Sequence, residues 1–148
     1  MAFVRVHHHS FTVSEMNRSI HFWCDLLGFK LIADVVRENL ESYDRVMGMK
    51  GVKIRVAMLK DPSDTTMIAL LQYRQPSPIQ REMGNQFVGS SVLAVHTNDI
   101  DEDYRRLCAA GVRFNSPPID VIRDGKLAAK ISYAFDPDGI VVELYQPC

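Results

Sequence analysis

One pattern is written twice along these 148 residues, and a chain built that way must fold as two copies of one unit. The first copy runs from a strand at residues 4–13 (VRVHHHSFTV) through a helix at 14–27 (SEMNRSIHFWCDLL) to Gly28-Phe29. The second runs from a strand at 91–97 (SVLAVHT) through a helix at 99–110 (DIDEDYRRLCAA) to Gly111-Val112. A shift of about 84 residues lays Met16 on Ile100 and Ile20 on Tyr104. The copies also close alike: Met67-Ile68-Ala69-Leu70-Leu71-Gln72 matches Val141-Val142-Glu143-Leu144-Tyr145-Gln146, two apolar runs of buried-strand type. The shared Gln72 and Gln146 set the register of the closing runs, which puts Ala69 on Glu143, while the earlier shift of about 84 puts His8 on Val92.

Helical spacing of Met16, Ile20, Trp23 and Leu27 gives the first helix one apolar face, with Ser14 as its expected N-cap and Gly28 as the left-handed turn that ends it. In the second helix Ile100, Tyr104, Leu107 and Cys108 form the expected buried stripe, and Asp99 with Glu102 suggests a capping box. Strands are expected at 29–36, at 52–59, where Val52, Ile54, Val56 and Met58 alternate with polar residues, and at the two closing runs. Asp61-Pro62-Ser63-Asp64 and Asp136-Pro137-Asp138-Gly139 read as tight turns, and 47–51 as a turn or short helical excursion. Pro76 and Pro78 mark residues 74–90 as the connection between a first module at about 3–73 and a second at about 91–148, the two sharing one domain. The fold class is α+β: two tandem βαβββ modules that form a curved mixed sheet around a concave pocket, backed by helices.

A net charge of -1, with basic residues scattered, argues against a nucleic-acid partner. No apolar run approaches the roughly 20 residues that span a bilayer, and histidines stand where a signal peptide would be apolar, so no membrane role and a cytoplasmic location are expected. Cys24, Cys108 and Cys148 lack the number and spacing of a disulfide framework or zinc knuckle, and Cys24 and Cys108 read as packed helix residues.

Two stretches carry a family resemblance that spans nearly the whole chain: H-x-x-x-x-V-x-x-M-x-x-S-I-x-F-W-x-x-x-L-G-F from His8, and F-D-P-D-G-I-V-V-E-L from Phe135 to Leu144. Together they resemble the vicinal oxygen chelate superfamily of glyoxalase I, methylmalonyl-CoA epimerase, extradiol dioxygenases, fosfomycin-modifying enzymes and bleomycin-binding proteins. In its metal-dependent members four side chains from the first and last strands of each module bind one divalent ion. The resemblance puts His8 first and Glu143 fourth, but Ala69 second and Val92 third, and neither of these has a lone pair to donate. His96 lies an even number of residues from Val92, on the same strand face but about 13 Å along, too far for a simple ligand exchange. His7 and His9 alternate to the face opposite His8.

Strand alternation gives the remaining concave-face positions. Val6, Ser10, Thr12, Met67, Ala69, Leu71 and Tyr73 come from the first module, and Val92, Ala94 and Val141 from the second. The face is mainly apolar, with His8, His96, Glu143 and Tyr145 as its chemistry-bearing groups. His8 and Glu143 read as a base and its orienting carboxylate, as remnants of an ancestral site, or as two ligands of a water-completed metal. His96 and Tyr145 read as hydrogen-bond donors to a ligand or as packed amphipathic side chains. Arg5, Arg37 and Arg55 offer forks for a carboxylate or phosphate, and the sequence does not select among them. Trp23 and Phe22 read as core and His21 as solvated.

The resulting expectation is a glyoxalase-like lyase, isomerase or cyclase that moves a proton next to a carbonyl of a small molecule, with no cofactor beyond the two-ligand metal alternative. The competing reading is a metal-free binding protein that sequesters an antibiotic or other natural product. Pairing into a homodimer is what the resemblance implies.

Overall fold

A computed structural model describes residues 4–82 and 84–148. Phe3, at the expected start of the first module, and Met83, in the connection, lie outside the described residues. The chain divides into two compact units, Met1–Arg81 and Glu82–Cys148, and the division falls inside the proline-bearing connection.

In the first unit β1 (His9–Thr12) leads to α1 (Met16–Ile20), which continues as a π-helical segment over His21–Leu26. Then follow β2 (Lys30–Glu38), α2 (Glu41–Met47), β3 (Lys53–Lys60) and β4 (Met67–Gln75). The sheet has the order β1-β4-β3-β2, parallel between β1 and β4 and antiparallel elsewhere. The second unit repeats this arrangement: β5 (Val92–His96), α3 (Ile100–Ala109), β6 (Arg113–Phe114), β7 (Ile119–Arg123), β8 (Lys126–Phe135) and β9 (Val141–Pro147). Its sheet runs β5-β9-β8-β6, with β7 also on β8 and only β5-β9 parallel. The α+β class and the duplicated βαβββ topology are as the sequence implies, although the strands form two separate mixed sheets rather than one. Ser116-Pro117-Pro118 splits the second strand position of the second unit into β6 and β7, because proline has no N–H for the ladder.

The repeated glutamine has a structural cause. Gln72 Oε1 on β4 accepts from the Met16 backbone N–H at 3.2 Å, and its Nε2 donates to the Ser14 carbonyl at 3.2 Å. In the second unit Gln146 Oε1 on β9 accepts from Ile100 N at 2.8 Å. Each glutamine satisfies an orphan donor in the first turn of its unit's helix and ties the helix to the last strand. It is Glu15, not Ser14, that caps α1, by accepting from Asn17 N and Arg18 N; Ser14 Oγ receives Arg18 Nη2 instead. Asp99 caps α3 through Glu102 N as expected, but the Glu102 carboxylate turns to Arg105 rather than back to the cap. Gly28 and Gly111 end the helical segments at φ 77° and 85°, a region open to glycine without strain.

Two local expectations need correction. The first strand does not begin at Val4: residues 4–8 lack regular structure, and His8 stands one residue outside β1. The polar stretch after β2 folds as α2, which Gly48 closes at φ 64° and Asp44 ties to β3 by accepting from Gly51 N and Val52 N.

Around Trp23 the first core assembles: Phe11 stacks at 5.6 Å between ring centroids, and Phe22 and Phe29 meet it edge-on at 5.5 and 5.3 Å. The π-helical segment explains how both Phe22 and Trp23 are buried, since the extra residue per turn rotates the apolar stripe while Ile20 and Leu27 stay half-exposed. Ile68 and Leu70 of β4 complete this core, and Ile100, Leu107, Val142 and Leu144 form the second. Full burial of each such aliphatic side chain contributes about 1.5–3 kcal/mol. Cys108 is exposed and Tyr104 half-buried, so the α3 stripe is narrower than its spacing suggests.

The two Asp-Pro turns are also counterparts. Asp61 Oδ1 accepts from Thr65 N and Thr66 N, and Asp136 Oδ1 from Asp138 N and Ile140 N, both at 2.8 Å. Asp136 is buried and its Oδ2 has no hydrogen-bond partner among the described residues, so burial pushes its carboxyl up to about 6 against the pull of those backbone donors. A raised folded value means that the folded chain holds this proton more tightly than the unfolded one. The stabilisation is therefore present below the unfolded value of 3.8 and is lost as the pH rises through about 6. Asp136→Asn keeps the Oδ1 acceptor and removes the titration. Denaturation from pH 4 to pH 7 should show wild type losing about 2 kcal/mol relative to this variant, and a pH-independent difference would contradict the assignment.

Candidate functional site

Each sheet has one face under its helix and one open face. In the second unit Gln146 and Lys130 reach α3, so the alternate residues of β8 and β9 point the other way. Glu143 lies on that open face at the centre of β9, with Ala94 of β5 on one side and Tyr133 of β8 directly across on the other. Such neighbours place their Cβ atoms about 5 Å apart. The next rung is His96, Tyr145 and Ile131, and the preceding one is Val92, Val141 and Phe135. Arg113 covers the Phe135 ring at 3.9 Å. Glu143 is half-buried and makes no hydrogen bond or ion pair among the described residues. A carboxylate held on a rigid central strand, with a methyl on one flank and a phenol on the other, is poised to take up a proton or accept a hydrogen bond from a ligand.

In the first unit Arg55 and Gln72 reach α1, and the open face again carries the alternate positions. Its rungs are Ser10, Ala69, Met58 and Ala33, then Thr12, Leu71, Val56 and Val35, then Tyr73, Ile54 and Arg37. Met67 precedes them. The Tyr73 hydroxyl donates to Met47 Sδ at 3.3 Å, which lays the end of α2 against the last rung.

The structure thus brings Ser10, Met67, Ala69 and Leu71 to one open face and Val92, Ala94, His96, Val141, Glu143 and Tyr145 to the other, as alternation requires. It does not bring His8 onto a strand. His8 is exposed, and its Nδ1 lies 2.7 Å from Nδ1 of His7, the neighbour that alternation had sent to the opposite face. His9 packs on Phe11, on the helix side, at 4.6 Å between centroids. Tyr133 is the residue that sequence reasoning missed. The Asp136–Gly139 turn fixes the β8-β9 register, and counting back from it pairs Tyr133 with Glu143.

Arg55 is committed to a structural contact: its Nε and Nη2 grip the two oxygens of Asp34 at 2.9 and 2.7 Å, and Nη1 donates to Asn17 Oδ1. The carboxylate beside it raises the Arg55 value, and the guanidinium holds Asp34 below the usual carboxylate range.

The four-ligand metal site of metal-dependent relatives does not fit this chain. The resemblance puts the hydrocarbon side chains of Ala69 and Val92 at two of the four positions, and within either unit no three His, Cys, Asp or Glu side chains among the described residues are grouped to hold an ion. No described helix is long and apolar enough to cross a membrane.

Residues 5–144 match the family model described as the glyoxalase/bleomycin resistance protein/dioxygenase superfamily. A 2-epi-5-epi-valiolone epimerase from Actinomyces sp. is 28% identical over 145 residues, covering 95% of this chain and 78% of the relative. The uncharacterized protein YaeR of Escherichia coli is 26% identical over 142 residues, covering 96% and 95%. Among solved structures, a glyoxalase family protein from Bacillus cereus superposes with a TM-score of 0.86 at 23% identity, covering 99% of this chain and 98% of that one. With the duplicated topology, a mixed sheet in each unit and a family match over nearly its full length, the chain belongs to the glyoxalase/bleomycin resistance/dioxygenase superfamily, the vicinal oxygen chelate proteins.

Proposed function

We propose that the protein is a small-molecule isomerase or lyase that removes a proton from a carbon next to a carbonyl, with Glu143 as the base. The carrying observation is the half-buried Glu143 carboxylate, without a hydrogen bond or ion pair among the described residues, directly across from Tyr133 and one rung from Tyr145 and His96. The carboxylate takes the proton, and the C–H electron pair moves into an enolate. A phenol of Tyr133 or Tyr145, or the His96 imidazole, donates a hydrogen bond to the developing oxyanion, the service that a metal supplies in relatives that bind one. Return of a proton to the opposite side of the carbon inverts it, while loss of a group from the next carbon makes the reaction a lyase. An epimerase among the relatives supports the first outcome.

Incubating the protein in D2O with a panel of α-hydroxy ketones and cyclic polyhydroxy ketones tests this reading. Proton NMR should show deuterium entering next to the carbonyl faster than in buffer for at least one compound. A panel member that binds tightly, exchanges no proton and is recovered unchanged would favour the sequestering alternative, which the apolar open face around Ala69 and Leu71 also suits.

A further inference from the structure

The open face of the first sheet carries no charge on its two inner rungs. Ser10 and Thr12 put hydroxyls along the β1 margin, and apolar side chains of β4, β3 and β2 fill the rest. Charge appears only at the two ends. On the Met67 rung, Lys60 and Lys30 approach the Asp64 carboxylate at 3.9 and 3.6 Å and are partly offset by it. At the far end Arg37 shares the rung of Ile54 and Tyr73, and it makes no ion pair among the described residues. Ile54 is wholly buried and Tyr73 is bonded to α2, so this end is closed over its middle while the guanidinium at its margin stays exposed. Arg55, the neighbouring arginine of the sheet, points to the helix side with its fork filled by Asp34.

We infer that this face binds a small molecule with an apolar or ring-shaped body and one anionic group, and that Arg37 holds the anion. A planar guanidinium accepts a carboxylate, sulfonate or phosphate in two parallel hydrogen bonds, which an ammonium cannot do. Beside an apolar floor such a pair is less screened than on an open surface. This inference deepens the reading above and rests on it only for the premise that the open faces receive a small molecule.

Two probes of one shape test it on the full chain: 8-anilinonaphthalene-1-sulfonate, and N-phenyl-1-naphthylamine, the same body without the sulfonate. Both should bind saturably with a rise in fluorescence. Arg37→Gln should raise the Kd of the sulfonate about tenfold and leave the neutral probe unchanged, the size expected for one charge-assisted pair. Leu71→Asp, checked for folding by circular dichroism, should weaken both probes, and Lys60→Gln should leave both as they are. The inference is overturned if neither probe saturates, if Arg37→Gln leaves the sulfonate unaffected or weakens both probes alike, or if Lys60→Gln produces the loss instead. Its failure is separable from that of the proton-transfer reading, because the probe titrations read Arg37 on the first sheet and deuterium exchange reads Glu143 on the second, so either can fail while the other stands. Arg37-dependent binding without exchange would mean an anion-sequestering protein.

Discussion

Glu143→Gln should lower the rate of deuterium entry, measured on the best substrate of the panel, by about 10²–10⁴-fold, the usual contribution of a positioned general base. The substitution keeps the shape of the side chain and one oxygen acceptor but removes the basic lone pair. Glu143 makes no hydrogen bond or ion pair among the described residues, so nothing in the second unit depends on its charge, and the melting temperature should move by no more than a few degrees. Tyr133→Phe removes only the hydroxyl across the strand, and a smaller loss is expected there, concentrated in kcat because the hydrogen bond strengthens as the oxyanion forms. Full activity of Glu143→Gln would remove the base from the proposal.

Trp23→Ala should destabilise the first unit by about 3–5 kcal/mol, the range for deleting a buried aromatic side chain. Trp23 is wholly buried and touches three phenylalanine rings contributed by β1, the π-helical segment and the residue just before β2. Its removal leaves a cavity that these rings cannot close together. Typical domains have only about 5–15 kcal/mol in all, so the variant should unfold at markedly lower denaturant concentration. Trp23→Phe should cost less than half as much, since it keeps a ring in the cluster and removes an indole N–H that has no partner in the core. Chemical denaturation followed by circular dichroism distinguishes these outcomes, and equal losses for the two substitutions would contradict the role of the ring cluster.

The duplication was legible because its markers have local causes that recur in both units. Gln72 and Gln146 each satisfy a helix N-terminus, Asp61 and Asp136 each hold a turn, and Gly28 and Gly111 each take a positive φ. The open-face positions could be read for the same reason, since alternation is rigid once the closing strands are in register. Three features escaped this reasoning. Helix α2 is too short and too exposed to leave an apolar period, and its ties run to β3 and β4 through Asp44 and Met47. The limits of β1 depend on where β4 offers a partner: its register with β4 starts at His9 and Ile68, so extrapolating alternation back to His8 had no ladder to support it. Tyr133 is visible only after the β8-β9 hairpin is paired, because it lies ten residues from Glu143 in the chain yet next to it in space.

Under the proposed function Glu143 works as a base rather than as a ligand, on a scaffold where the resemblance puts Ala69 and Val92 at two metal positions. The direct measurement is the metal content of protein purified without a metal-affinity column, because the exposed His7–His9 run would itself collect nickel. After incubation with zinc, nickel, manganese or iron and desalting, elemental analysis should find far less than one equivalent per chain, and a chelator should leave deuterium entry unchanged. A near-stoichiometric ion that disappears in Glu143→Ala would contradict the account and make Glu143 a ligand rather than a base.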